Sequence, residues 1–321
     1  MVEIQNLTKN FGQTLAVDKV SFEVKKGENL IMLGTSGCGK TTTLKMINRL
    51  IEPNQGEIFI NGKNINAQKP ELLRRKIGYV MQNTGLFPHY TVEQNIGVLP
   101  QLLKWDKKIT RQKTEELLNK LHLPEASLTM YPNQLSGGQQ QRVGLARALI
   151  ADTELLLMDE PFGALDNVTR NQIQKEFKAL PEFQNKTIIM VTHDVQEAFE
   201  LADRIVLMDK GKVVQIGTPK DLLYRPINEF AEQFLDAQRL ALELKIVSLN
   251  DLWPYLSLNN LACTTSISSS INVWDSMEMI RKSDHSCFQV SNTKGEKRDI
   301  DFQVLTQAFN HFQIAQANER T

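Results

Sequence analysis

The stretch Gly34-Thr35-Ser36-Gly37-Cys38-Gly39-Lys40-Thr41 constrains this chain more than any other, because it follows the apolar run Asn29 to Leu33 without a break. Its spacing is G-x-x-x-x-G-K-[ST], met by Gly34, Gly39, Lys40 and Thr41. Glycines let successive backbone N–H groups point inward at phosphate oxygens. Such a loop must be fed by a strand and must open a helix, whose N-terminal dipole favours the same anion. Lys40 then supplies a point charge to the β- and γ-phosphates, and Thr41 a hydroxyl to Mg²⁺. Residues Gly34 to Thr42, with Thr35, Ser36, Gly37 and Cys38 between the fixed positions, are expected to hold a nucleotide. Cys38 is read as a small residue that fits the loop, since nothing marks its thiol as activated.

A second apolar run, Leu155 to Met158, ends in Asp159-Glu160. Ligands of open α/β sheets sit at the carboxyl ends of strands. Asp159 is therefore expected near Mg²⁺, and Glu160 to accept or orient the proton of an attacking water. Alone, an acidic pair after a strand equally suits a helix cap. Beside a phosphate loop it reads as catalysis.

The rest of the chain supports a sheet flanked by helices. VEIQNLTKNF and VSFEVKKGENLIML carry apolar residues at strand spacing, and GEIFING reads as a strand and turn. Thr91 to Leu123 is mostly helical in pattern, a helix is expected over Ser136 to Leu149, and Thr187 to Val191 is a buried strand. IVLMDKGKVVQIG is a hairpin around Lys210-Gly211. Strands alternating with helices indicate an α/β fold. Composition shifts near Asn228. NEFAEQFLDAQRLALEL places Phe230, Phe234, Ala237 and Ala241 on one stripe of a linker helix, and the boundary is expected near Ala237: a domain over 1–236 and a second over 237–321.

Bulk properties exclude several classes. The 321 residues carry 37 basic and 37 acidic side chains, so no charge excess points to nucleic acid. Cys38, Cys263 and Cys287 lie far apart without metal-ligand spacing, a pattern that fits a reducing compartment. The N-terminus has no basic segment followed by an apolar run, and no segment approaches the roughly 18 apolar residues of a membrane span. Service to a membrane would come from the cytoplasmic face, through partners.

LSGGQ (Leu135 to Gln139), followed by QQRVGLARAL, resembles the signature and signature helix of ATP-binding-cassette (ABC) proteins. Ser136, Gly137 and Gly138 place a hydroxyl and bare N–H groups at a helix N-terminus, an anion site. The resemblance implies that two cassettes meet head to tail, so that Ser136, Gly137, Gly138 and Gln139 close over the partner's ATP. It also implies roles for residues that appear in the family's order. Phe11 would stack on adenine. Gln82, in YVMQNTGLFPHYTV, would be the Q-loop glutamine that approaches Mg²⁺ and the membrane partner. Gly163-Ala164-Leu165-Asp166 would be the D-loop, with glycine where serine is commoner. His193, in MVTHD, would contact the γ-phosphate. Lys40, Gln82, Glu160 and His193 are thus the expected catalytic set, Thr41, Gln82 and Asp159 the metal set, with ATP and Mg²⁺ as cofactors. The implied fold is a P-loop NTPase of the ABC ATPase kind: a RecA-like core, an antiparallel β subdomain and a helical subdomain, followed by a small α+β domain.

KMINRLIEPNQGEIFING, ELLRRKIGYVMQNTGLFPHYTVEQNI and LSGGQQQRVGLARAL with MDEPFGALD are similar to the ATPases of quaternary-amine importers, which serve glycine betaine, carnitine and choline. Related systems carry ergothioneine or affect bile tolerance, so the solute stays open. The resemblance implies a second copy of the chain, integral-membrane permease subunits received largely by Asn83 to Ile96, and an extracellular solute-binding protein as partners. A regulatory ATP-gated dimer without transport is the alternative from another class. Ala262 to Phe312 resembles one cystathionine-β-synthase (CBS) motif, half of the usual module, with Val273, Met277 and Ile280 on one helix face and Phe302, Leu305, Phe309 and Phe312 on another. KRDIDF lacks the glycine and hydroxyl residues that hold a nucleotide's ribose. The tail is read as dimerising or stabilising, with ionic-strength sensing as the alternative. Trp253 and Trp274 are read as tail core rather than as a cation–π cage.

Overall fold

The computed structural model describes residues 1–163, 165–180, 183, 186–257, 261, 263, 265–283 and 287–318. They form two compact units, Met1–Ile216 and Gly217–Thr321. The division falls before the boundary expected near Ala237. The reason lies in the short helices after Ile216, which belong with the tail: Arg239 Nη2 donates to the Leu223 carbonyl at 2.8 Å, and Lys220 pairs with Asp251 at 2.7 Å.

The first unit holds two sheets. Strands β1 (Val2–Phe11), β2 (Thr14–Val24), β4 (Gln55–Ile60) and β5 (Lys63–Asn64) form an antiparallel sheet in the order β2-β1-β4-β5. Its strands alternate: Val2 and Ile4 are buried while Glu3 and Gln5 face solvent, as one covered face requires. Strands β3 (Asn29–Gly34), β6 (Ile77–Val80), β7 (Leu155–Asp159), β8 (Thr187–Thr192), β9 (Arg204–Asp209) and β10 (Lys212–Gly217) form the other sheet in the order β10-β9-β3-β8-β7-β6. Its central pairs are parallel. Every residue of β7 and β8 is buried, the mark of a sheet covered on both faces. Leu30, Met32, Leu155, Leu157, Ile189 and Val191 join Val2, Ile4 and Val20 in one core. The carboxyl ends of β3, β7 and β8 carry Gly34, Asp159 and Thr192.

Between β6 and β7 the chain is helical, as its pattern predicts. Helix Val92–Leu102 starts at a capping box of Thr91 and Gln94, and Lys107–Lys120 starts at Asp106. Helix Gly137–Leu149 has Ser136 as its N-cap, which places the expected start one residue later.

The second unit contains helices Pro219–Tyr224, Glu229–Asp236 and Arg239–Ile246. The expected single linker helix is broken at Ala237–Gln238, and its buried residues are Ala231, Leu235, Leu242 and Glu243, while Ala237 is exposed. Strands β11 (Ser266–Ser268), β12 (Phe288–Ser291) and β13 (Lys297–Ile300) form a sheet, β11 parallel and β13 antiparallel to β12. With helices Val273–Lys282 and Phe302–Asn318 they give the order β-α-β-β-α. The last helix buries Val304, Leu305, Ala308, Phe309 and Phe312, whereas Phe302 is 54% exposed and leaves the expected stripe. Trp253 donates to Glu296 and stacks with Arg298, and Trp274 is 41% exposed rather than core. Ala262, where the motif was expected to begin, lies outside the described residues.

Cys263 and Cys287 are joined as a disulfide, with Cα atoms 5.6 Å apart. The spacing of the three cysteines, which fitted a reducing compartment, did not foresee this pair. Loop-closure entropy over the 24-residue separation predicts about 3 kcal/mol of stabilisation. Cys263→Ser should lower the melting temperature of the oxidised protein and leave the reduced protein unchanged. Thermal melts with and without reductant check this, and alkylation that finds both thiols free in the oxidised protein would sink it.

Candidate active site

β3 ends at Gly34, where the chain turns into the loop. A Cβ at Gly34 would stand 2.1 Å from the Met208 carbonyl oxygen and 2.9 Å from Cys38 Sγ, so no side chain fits. Thr35, Ser36 and Gly37 are exposed, and helix Lys40–Ile47 opens from Gly39 without a side-chain cap. Its first N–H groups therefore remain for an anion. Lys40 is buried inside the loop, donating to the Gly34 carbonyl at 2.8 Å and the Thr35 carbonyl at 2.9 Å, with Cys38 Sγ at 3.6 Å. Burial pushes the Cys38 thiol up, against the pull of Lys40. Cys38 is thus a packing residue, not an activated one.

Thr41 Oγ1 donates to Asp159 Oδ1 at 2.7 Å, joining helix and strand β7 across 118 residues. Burial raises the Asp159 carboxyl, and the Thr41 bond opposes it. A hydroxyl and a carboxylate in contact are the hard oxygen donors that suit Mg²⁺, so the residues fit the ion.

Glu160 follows with a left-handed backbone, φ 44°. That conformation costs on the order of 1 kcal/mol in a non-glycine residue. It is held there by its own N–H, which donates to the Val191 carbonyl of β8 at 2.9 Å. The turn brings Oε2 within 3.1 Å of Gln82 Nε2 and 3.1 Å of His193 Nδ1. An ionised carboxylate only accepts, so the proton of His193 is assigned to Nδ1. Oε1 has no hydrogen-bond partner among the described residues. Three loops, following β6, β7 and β8, thus converge on one carboxylate.

Glu197 escaped the sequence reading, because an acid in the first turn of a helix signals only capping. It is 4% exposed and accepts from Thr192 Oγ1 and from Gln174 Nε2. Thr192 in turn accepts from the Asp194 N–H at 3.0 Å. Glu197 therefore braces the turn that carries His193. Burial pushes its carboxyl up to about 7. The folded state keeps the proton that the unfolded chain releases near 4.5. The stability contributed by this group is fully present below that pH and is lost as pH rises towards about 7. Glu197→Gln should flatten this fall, by about 2 kcal/mol, and raise the melting temperature at neutral pH. Melts of both proteins from acid to neutral pH check it, and parallel profiles would sink it.

The profile of the ABC transporter family matches residues 17–163. The chain is 52% identical over 241 residues to the glycine betaine/carnitine/choline transport ATP-binding protein OpuCA of Bacillus subtilis (strain 168), covering 75% of this chain and 63% of that protein. It thus spans about three fifths of that relative's length. It is 42% identical over 296 residues to the glycine betaine uptake system ATP-binding protein YehX of Escherichia coli (strain K12), covering 92% of this chain and 96% of that one. The chain belongs to the ABC transporter ATP-binding proteins. Its fold agrees: the dimeric post-hydrolysis structure of the ATP-binding cassette MJ0796 with ADP and Pi superposes with a TM-score of 0.62 at 36% identity, over 68% of this chain and 98% of that one.

Within the cassette, Ser136 caps the signature helix through a capping box: its Oγ accepts from the Gln139 N–H, and Gln139 Oε1 accepts from the Ser136 N–H. Gly137 opens to free space, while a Cβ at Gly138 would press on Thr169. Phe11 is 50% exposed at the tip of β1, with Lys9 Nζ 5.3 Å from its ring centroid. Asp166 caps helix Asn167–Ala179, and hydrogen bonds from its backbone hold the carboxyl below the usual range. Gly163 N–H donates to the Glu160 carbonyl at 3.2 Å. Ala164 lies outside the described residues.

Proposed function

We propose that this chain is the ATP-hydrolysing subunit of an importer for quaternary-amine solutes such as glycine betaine, carnitine or choline. The observation that carries hydrolysis is the Glu160 carboxylate, fixed by Gln82 and His193 one residue from the Thr41–Asp159 pair. The transport roles for which OpuCA and YehX are named support the solute class.

Mg²⁺, when bound, neutralises phosphate charge. Thr41 and Asp159 would hold it, with Gln82 close by. Lys40 and the loop N–H groups bind the phosphates. Glu160 takes the proton of the attacking water at Oε1, while Gln82 and His193 keep Oε2 still. With both ring nitrogens protonated, His193 can give Nδ1–H to Glu160 and Nε2–H to a γ-phosphate oxygen, and Phe11 offers its face to adenine. Ser136 to Gln139 act on the ATP of a second copy, and Asp166 orders the segment after Glu160.

The membrane subunits are received beside helix Val92–Leu102. A cavity of about 450 Å³ opens there, lined by Tyr90, Glu93, Gln94, Gln101 and Trp105 among others. The protein works at the cytoplasmic face, and an extracellular binding protein selects the solute. Ala262 to Phe312 is a CBS-like half module that pairs with its copy, supported by the β-α-β-β-α order of the elements from Ser266 to Asn318. Sedimentation of the full chain tests the pairing: a strict monomer with and without ATP ends it. Uptake into proteoliposomes holding the assembled transporter, with glycine betaine, carnitine, choline and ergothioneine in competition, tests the whole. ATP-dependent accumulation of a quaternary amine is expected. ATP-driven dimerisation without co-purification of a polytopic membrane protein would instead make the chain a regulator.

A further inference from the structure

The signature helix Gly137–Leu149 has the lid residues at one end and Arg147 near the other. Arg147 Nη1 donates to the Gly85 carbonyl at 2.7 Å, and Nη2 donates to the Thr84 carbonyl at 2.8 Å. Both carbonyls belong to the turn just after Gln82. Burial lowers the Arg147 guanidinium from its ordinary value, and among the described residues no carboxylate is paired with it. A half-buried cation held by two successive carbonyls is tied to one shape of that turn, because the planar fork spans both at once.

The turn itself is shaped for this. Gly85 is left-handed, φ 55°, and a Cβ there would stand 2.6 Å from Met81 Sδ. The same end of the helix is fixed to β6, where a Cβ on Gly78 would stand 2.7 Å from the Ala148 carbonyl. Downstream, buried Asn95 accepts from the Phe87 N–H at 2.7 Å and donates to the carbonyls of Phe87, Tyr90 and Thr91. The segment after Gln82 is thus gripped at both ends by helical side chains.

We propose that Arg147 is a positioning residue that locks the turn after Gln82 to the signature helix, so that movement of Ser136 to Gln139 reaches Gln82 and, through it, Glu160. This rests on the ATPase function proposed above. Closure of the lid then registers at the carboxylate within one chain, through two hydrogen bonds.

Hydrogen exchange on the full chain in a Glu160→Gln background, titrated with ATP, tests it. The parent should gain protection together in two segments, Ser136 to Leu149 and Gln82 to Phe87. Arg147→Gln removes two charge-assisted bonds, so the ATP-induced gain in Gln82 to Phe87 should fall at least ~10-fold while the signature segment keeps its gain within about twofold. Gly85→Ala, which strains the left-handed backbone (φ 55°) that presents one of the two carbonyls and leaves Arg147 in place, should uncouple the segments in the same way, and it carries the test if Arg147→Gln does not fold. With Glu160 intact, Arg147→Gln should lower kcat ~10-fold with KM for ATP nearly constant. Variants whose two segments still respond together overturn the proposal. If neither segment of the parent responds to ATP, it is the ATPase function that fails.

Discussion

Glu160→Gln is expected to lower ATP turnover by about three orders of magnitude while leaving ATP binding intact. The substitution keeps the size and planarity of the side chain, so Gln82 can still donate to an oxygen at the Oε2 position, now 3.1 Å away. What is lost is the acceptor for the water's proton. The positive φ of 44° at this residue is unchanged, so the fold should melt as before. With hydrolysis blocked and Lys40, Thr41 and Asp159 in place, an ATP-bound dimer should accumulate. Phosphate release and size-exclusion chromatography with ATP and Mg²⁺ measure both effects. Near-normal turnover, or a protein that stays monomeric with ATP, would remove Glu160 from the role assigned to it.

Gly34→Ala should abolish nucleotide binding and cost at least about 4 kcal/mol of stability. The added methyl would meet the Met208 carbonyl oxygen at 2.1 Å, and neither atom can yield cheaply. Gly34 ends β3 and Met208 lies opposite it in β9, so separation would open the parallel pairing of the sheet. Gly144→Ala is the control, since its Cβ would meet only the Thr84 carbonyl at an ordinary 3.7 Å. Circular-dichroism melts and titration with a fluorescent ATP analogue compare the two. If Gly34→Ala binds the analogue normally, the loop has room that the geometry denies it.

The local motifs were legible because each is a short run whose chemistry depends on neighbours in sequence. A glycine loop between an apolar strand and a helix has few other uses, and beside such a loop a fully apolar run ending in two acids reads as a buried strand that delivers its acids to the site. The helical insert and the individual strands followed from periodicity for the same reason, while their division into two sheets came from the family resemblance. The tail was harder. Its elements are short, its apolar stripe is interrupted at Ala237, and Phe302 sits at a helix start where the first turn is not yet packed, so periodicity overestimated what is buried. The disulfide could not be read either, because 24 residues of separation say nothing of where two strand ends meet in space.

By itself the sequence determined which residue types would meet a phosphate and a metal: Lys40, Thr41 and Asp159 are dictated by strand, loop and apolar run. Only the tertiary structure decided how they act together. It set Gln82 and His193 on one oxygen of Glu160, braced the His193 turn with a buried Glu197, and tied the turn after Gln82 to the signature helix through Arg147. The physical reason is that these contacts join side chains from different strands and helices, or a side chain to a distant backbone carbonyl. Such pairings are created by the order of strands in the sheet and leave no periodic trace along the chain.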